Sequence, residues 1–418
     1  MKVLWFANTP CGACERLNNN INGGGWLLSL EKELIKRDDI KLAVCFYYTK
    51  EIESFNYNGI HYYPIYRKYS SSKLLRYFGR LLLKQNIERR EIENLLTIIE
   101  SIKPDIIHIH GTEDNFGLIQ YHTKLPVVIS IQGLINPICE KYYSGIPKNE
   151  ASKYEGIFNK ILLKKNTYFH NNYLKNASRE RKILRKTKFI IGRTSWDNRV
   201  IKVLSPSSRY FKNNEIIRSE FYKNNWRKLK FEKNLRIIST LSDAFYKGFE
   251  SIIKTASILK EYPELSFEWI VVGLTRNTSV IKIVEKWLKI DLENLNIKIL
   301  DPKNEKELVK ILLFSDIYCQ VSHIENSSNS LCEAMLLGMP IIATFAGGTS
   351  SLLEDGKQGI LVQDGDPYSI AGSIIELYND FNNAKQYGRK ARKKALLRHN
   401  KKAIIKELIN IYYSILKD

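Results

Sequence analysis

The sequence predicts two doubly wound α/β domains, and three observations carry that prediction. Short β-branched runs alternate with longer amphipathic stretches along nearly the whole chain. Such alternation builds parallel sheets covered by helices on both faces. The pattern occurs as two sets, separated by an irregular stretch at 206–234. At 418 residues the chain is also long enough for more than one domain of the usual ~100–200 residues.

In the first set, strands are expected at 2–8, 41–47, 106–110, 127–131 and 188–192. Helical periodicity lies between them, for example at 26–36 and 92–102. The second set places strands at 236–240, 268–273, 296–300, 316–321 and 340–344, with helices at 248–261 and 370–378. The resulting domains are 1–205 and 235–399, joined by a linker at 206–234. Residues 400–418 read as a last helix with no strand after it, and the first domain is one candidate for what it packs on. Ligands of such sheets bind at the carboxyl ends of the strands, here in a cleft between the halves.

Composition narrows the function classes. With 44% apolar and 26% charged residues the chain is a globular protein, not a disordered or collagen-like one. No window holds ~18 uninterrupted apolar residues, so no membrane-spanning helix is expected. Residues 1–10 run straight into strand-like sequence without a cleavage-type leader. Six cysteines are too few for a disulfide framework, which suggests a reducing cytoplasm. Cys11 and Cys14 form a lone pair with no second pair nearby, so no zinc site is expected.

The net charge of +21 is unevenly spread. Residues 151–236 hold 23 Lys/Arg against 6 Asp/Glu, whereas 237–381 hold 12 against 20. Residues 382–406 hold 10 against none. Stretch 66–90 has 8 Lys/Arg and 1 Glu around Leu74, Leu75, Phe78, Leu81 and Leu82, a pattern suited to an anionic membrane surface or to packing on its own domain. Two nucleotide-type halves with an acidic second core argue against nucleic acid as the partner.

The chemistry concentrates in 316–365. A buried strand ends near Val321–Ser322, a polar loop follows, and a helix opens near Asn329. Free amides at that helix start suit a diphosphate, helped by the helix dipole and by the hydroxyls of Ser327, Ser328 and Ser330, which makes Ser328, Asn329, Ser330 and Leu331 donor-binding candidates. Glu325 lies in the loop and Glu333 one turn into an apolar helix, where a carboxylate needs an assigned partner. Lys247–Gly248 stands at another helix start, where a cation can neutralise a leaving diphosphate. The run Asn22–Gly23–Gly24–Gly25–Trp26 opens a helix after the first strand, letting backbone approach a ligand closely.

These segments together resemble the GT-B retaining glycosyltransferases of glycosyltransferase family 4. The likeness rests on Glu325 and Glu333 spaced Glu-x7-Glu, on Gly338–Met339–Pro340, and on Gly347–Gly348 after a strand. The resemblance implies two Rossmann-like domains facing each other across a cleft. It implies transfer of a sugar from a nucleotide-sugar to a hydroxyl acceptor, without a metal or other cofactor. Glu333 would bind the ribose, and Glu325 would face the transferred sugar. Lys247, with Arg193 from the other domain, would stabilise the diphosphate. Ser242 stands where the family usually has an arginine. Gly24 and Gly25 match the family's glycine loop, and His110 and Gln132 are the acceptor-side or sugar-side candidates. Gln132 replaces a usual histidine and has no proton to relay, so no acid–base pair stands out. Bacterial relatives of this type often extend lipid-linked glycans for surface polysaccharide, which implies a cytoplasmic enzyme at the inner membrane face. The rival readings are a nucleotide-sugar epimerase of the same fold and, from another class, a basic nucleic-acid-binding protein.

Overall fold

A computed structural model describes residues 1–17, 25–67, 84–154 and 165–418. Gly24 and most of the basic stretch 66–90 lie outside the described residues.

The first domain is built on β1 (Lys2–Ala7), β2 (Lys41–Tyr48), β3 (Phe55–Tyr57), β4 (Ile60–Tyr66), β5 (Ile106–His110), β6 (Val127–Ser130), β7 (Phe189–Gly192) and β8 (Arg209–Lys212). These form one sheet in the order β3-β4-β2-β1-β5-β6-β7-β8. The second domain carries β9 (Asn234–Thr240), β10 (Ser266–Val272), β11 (Ile297–Leu300), β12 (Ile317–Gln320), β13 (Ile341–Thr344) and β14 (Ile360–Val362). Their order is β11-β10-β9-β12-β13-β14. Among the described residues, every strand pairing apart from the antiparallel pair β3–β4 is parallel.

Each sheet is buried on both faces, as continuous apolar strands such as Val3–Ala7 require. In each, the first strand of the domain is central: β1 pairs with β2 and β5, and β9 pairs with β10 and β12. The chain therefore reverses direction across the sheet at β1/β5 and again at β9/β12. Those switch points open crevices at the carboxyl ends, where parallel α/β sheets bind ligands.

The stretch 206–234 is not a free linker. Residues 209–212 form β8, the edge of the first sheet, in register with β7. Its sequence, Arg-Tyr-Phe-Lys, is half exposed at an edge and lacks the apolar run of a central strand. Phe221 and Trp226 belong to the core of the second domain, and Trp226 donates from Nε1 to the Ser315 carbonyl at 2.8 Å. The hairpin β3–β4 also escapes the sequence pattern, because Pro64 interrupts it. Its turn is Asn58–Gly59, both at positive φ, as a tight hairpin demands.

The helix Phe381–Arg398 lies against the second domain, and the chain then crosses back. The last helix, Lys401–Lys417, packs Ile404, Leu408 and Tyr412 into the first-domain core with Trp5 and Leu27. Tyr412 accepts from Trp5 Nε1 at 3.1 Å and lies 2.6 Å from His108 Nδ1. Burying one such large side chain is worth roughly 1.5–3 kcal/mol, so this helix fixes the crossing point. The two crossovers are stitched together: His399 Nδ1 lies 2.9 Å from the Glu215 carbonyl, and Asn214 Nδ2 donates to the Arg398 carbonyl at 3.2 Å.

Candidate functional site

Two glycine turns bring the reactive groups together. After β9 the chain makes a short turn, Phe245–Lys247, closed by Gly248 in the left-handed conformation (φ +80°). A Cβ at Gly248 would run into the Val321 carbonyl at the end of β12, so only glycine lets these strand ends touch. Gly347, at φ +53° after β13, likewise sits against the Glu325 carbonyl, which accepts from the Gly348 amide at 2.8 Å. With both loops pinned, Lys247 Nζ donates to Glu325 Oε1 at 2.6 Å, and Ser322 Oγ donates to the same oxygen at 2.9 Å. Both side chains remain partly exposed, at 21% and 14%.

The helix behind this pair is Asn329–Leu337, capped by Ser328, whose Oγ accepts the Leu331 amide at 3.4 Å. Ser328 Oγ and Ser330 Oγ lie 3.0 Å apart. A helix leaves its first-turn amides without intrahelical partners, here those of Asn329 and Ser330, and they point out of the helix end. Asn329 Oδ1 is buried without a hydrogen-bond partner among the described residues. Glu333 is only 5% exposed. Burial pushes its carboxyl up to about 7, with Arg218 pulling the other way. Arg218 reaches Glu333 Oε1 through both Nε and Nη2, each at 2.7 Å. Gly25, the described residue of the glycine loop, lies against the Arg218 stem, 2.8 Å from Cδ to a Cβ placed there. Ser242 is exposed on the loop after β9.

Arg193 does not join Lys247 in the structure. It is 4% exposed, stacked over Trp26 at 4.1 Å and paired with Glu215 at 3.5 Å. Arg398 approaches the same Glu215 oxygen at 3.7 Å, and Ser327 Oγ donates to the other at 2.6 Å. Burial opposes the Glu215 charge, yet the two guanidiniums outweigh it and hold this carboxyl down to about 2. The charge of Arg193 is thus matched inside the fold, which removes it as a cation open to donor phosphates. Burial lowers its own pKa, with Glu215 opposing. Glu215, Cys332 and His399 bring ligand-type atoms within 4.8 Å of one another. They do not suit a metal ion, because a cation there would sit between Arg193 and Arg398.

The acceptor-side candidates divide. Gln132 stays partly exposed at the carboxyl end of β6 and donates from Nε2 to the His110 carbonyl at 3.1 Å. His110 is 0% exposed, packed against Trp5 at 4.6 Å, Trp26 at 5.7 Å and His108 at 3.9 Å. Burial, with His108 nearby, lowers its pKa, and neither ring nitrogen has a hydrogen-bond partner among the described residues.

Residues that the sequence reading did not single out complete the site. Asn326, next to Glu325, ties the domains together: it accepts from Thr194 Oγ1 at 2.8 Å and donates to the Gln132 carbonyl at 3.1 Å. Ser195 and Ser351 meet at 3.0 Å across the same junction. Glu113 follows β5 at the first-domain switch point and accepts from Asn8 Nδ2, at the end of β1, at 3.2 Å. Burial, with Glu180 nearby, pushes its carboxyl up to about 7. Its place directly after the strand end at His110 was the available signal.

The description "glycosyl transferases group 1" fits a family match over residues 221–394, which spans the second domain and both glutamates. An N-acetyl-alpha-D-glucosaminyl L-malate synthase of Bacillus anthracis is 29% identical over 129 residues, covering 30% of this chain and 34% of that protein. The chain spans between about a third and a half of the length of the curated relatives it matches first. Solved structures match the whole chain. Sucrose-phosphate synthase from Thermosynechococcus elongatus superposes with a TM-score of 0.71 at 12% identity, covering 100% of this chain and 99% of that one. Anabaena HepE in complex with UDP and glucose gives 0.62 at 16%, covering 98% of each chain. At these identities the structural likeness speaks for the fold, and the sequence match speaks for the family. The chain has the GT-B fold, and its second domain, over residues 221–394, matches the group 1 glycosyl transferases.

Proposed function

We propose that this protein is a retaining glycosyltransferase moving a sugar from a nucleotide-sugar to a hydroxyl of a glycan or lipid-linked saccharide. One observation carries the reading: Lys247, Glu325 and the helix bearing Glu333 converge at the carboxyl ends of β9, β12 and β13, facing the first domain. The open amides at Asn329 and Ser330 and the Lys247 ammonium receive the donor diphosphate. Glu333 receives the ribose hydroxyls. As the sugar–phosphate bond breaks, negative charge grows on the diphosphate, and Lys247 lowers its energy as a fixed point charge. Glu325, released from Lys247, then faces the sugar. Gln132 has no proton to relay, so the departing diphosphate itself takes the acceptor proton. These groups hold two reactants in one geometry, and that positioning supplies much of the rate. HepE, solved with UDP and glucose, makes UDP-sugars the first donors to try.

The test is nucleotide release from a panel of UDP- and GDP-sugars by the purified protein. Release from at least one, continuing in excess EDTA, is expected. Complete loss in EDTA, restored by Mg²⁺, would overturn the metal-independent scheme.

The acceptor is proposed to be membrane-borne, in surface polysaccharide synthesis. No helix among the described residues is long and apolar enough to cross a bilayer. The surplus of 23 Lys/Arg over 6 Asp/Glu in 151–236 supports peripheral docking, mostly from the half that faces the acceptor. Each basic side chain near an anionic surface contributes roughly 1 kcal/mol, and salt screens it. In flotation, the protein is expected to rise with anionic but not neutral vesicles, and less so at high salt. Failure to float with either would leave a soluble acceptor.

A further inference from the structure

Glu333 is covered by a side chain that a bound donor would have to displace. Arg218, on the crossover between domains, places both Nε and Nη2 on Glu333 Oε1 at 2.7 Å. Its guanidinium carbon also lies 5.0 Å from the Phe221 ring centre, and its stem lies against Gly25. It spans from the ribose end of the proposed site to the glycine turn of the first domain. Unlike Arg193, it is not locked into the fold, since its side chain is 25% exposed against 5% for Arg193.

A buried carboxylate does not give up a paired cation without replacement donors, because an unpaired buried charge is strongly disfavoured. Two ribose hydroxyls are such donors. The guanidinium they displace then needs an anion, and a diphosphate accepts a planar bidentate fork well. Lys247 alone supplies one positive charge, whereas the leaving diphosphate carries at least two negative charges. We propose that Arg218 is exchanged from Glu333 to the donor diphosphate on binding, serving there as the second cation beside Lys247. This assignment rests on the nucleotide-sugar reading above. In the exchange no covalent bond changes: the ribose hydroxyls donate to Glu333, and Arg218 donates to phosphate oxygens.

The exchange predicts a split between nucleoside and nucleoside diphosphate. Calorimetry with uridine and UDP, and with guanosine and GDP, measures how much the diphosphate adds to affinity. In R218Q that increment is expected to fall about tenfold or more, the loss of at least one charge-assisted hydrogen bond. Nucleoside affinity is expected to hold or rise, since the competitor for Glu333 is gone. R218K should keep part of the increment. Should R218Q fail to fold by thermal unfolding, the paired variant R218Q/E333Q removes both charges together and reads the same increment. An unchanged increment in the folded variant, or a uniform loss for nucleoside and diphosphate alike, would overturn the role of Arg218. Absence of any nucleotide binding by wild type would instead sink the nucleotide-sugar reading itself.

Discussion

Lys247→Ala should lower turnover by about 10²–10³ while leaving the donor KM within a few-fold, because its charge matters most as the diphosphate departs. Lys247 Nζ is held 2.6 Å from Glu325 Oε1 at the mouth of the cleft, so it is poised at the reacting end. Loss of its charge also frees Glu325, whose remaining partner on that oxygen is the Ser322 hydroxyl at 2.9 Å. Steady-state kinetics with the preferred donor check this. Near wild-type turnover in the alanine variant would remove Lys247 from the phosphate site.

The second large effect belongs to Glu333. Glu333→Ala should weaken nucleotide binding by roughly tenfold to a hundredfold, the loss of charge-assisted hydrogen bonds to ribose worth about 1.5–3 kcal/mol. Its pH dependence gives a finer test. Burial raises this carboxyl to about 7, and the ionised form accepts the two hydroxyl hydrogen bonds more strongly than the protonated one. Affinity should therefore climb from pH 6 to pH 8 and fall as the carboxylate is protonated below about 7. The phosphate titrates in the same range, so the informative quantity is the difference between wild type and Glu333→Gln. That difference should shrink toward pH 6. Folding carries the opposite sign: a raised carboxyl pKa makes Glu333 cost stability as pH rises from its unfolded range to about 7, and the cost is constant above that. Calorimetry of wild type and variant across that range checks the binding side. A pH-independent difference would take Glu333 off the ribose.

The second domain was readable because its chemistry is compressed into one stretch. Ser328 at the cap and Gly338 at the stop bound the helix Asn329–Leu337, close to where residue preferences place it. Lys247 and Glu325 are 78 positions apart, but each follows the end of a strand, and adjacent parallel strands bring such positions together. Arg218 gave no comparable signal. Its partner Glu333 is 115 positions away, and it lies in an irregular crossover that periodicity does not describe. Arg193 was placed correctly at a strand end, yet its direction was decided by Glu215, a buried residue of that same crossover. His110 shows the matching limit: alternation along β5 locates it, but burial between Trp5 and Trp26 follows from tertiary packing. The hairpin β3–β4 and the edge strand β8 were missed for a similar reason. Their short sequences mix aromatic, polar and proline residues, and only pairing with a neighbour makes them strands.

A crystal structure of the protein with UDP or GDP, whichever it binds, tests the donor site most directly. The ribose hydroxyls should lie within hydrogen-bond distance of Glu333, with the diphosphate between Lys247 Nζ and the amides of Asn329 and Ser330. A nucleotide bound elsewhere, with the Arg218–Glu333 and Lys247–Glu325 pairs undisturbed, would contradict that placement.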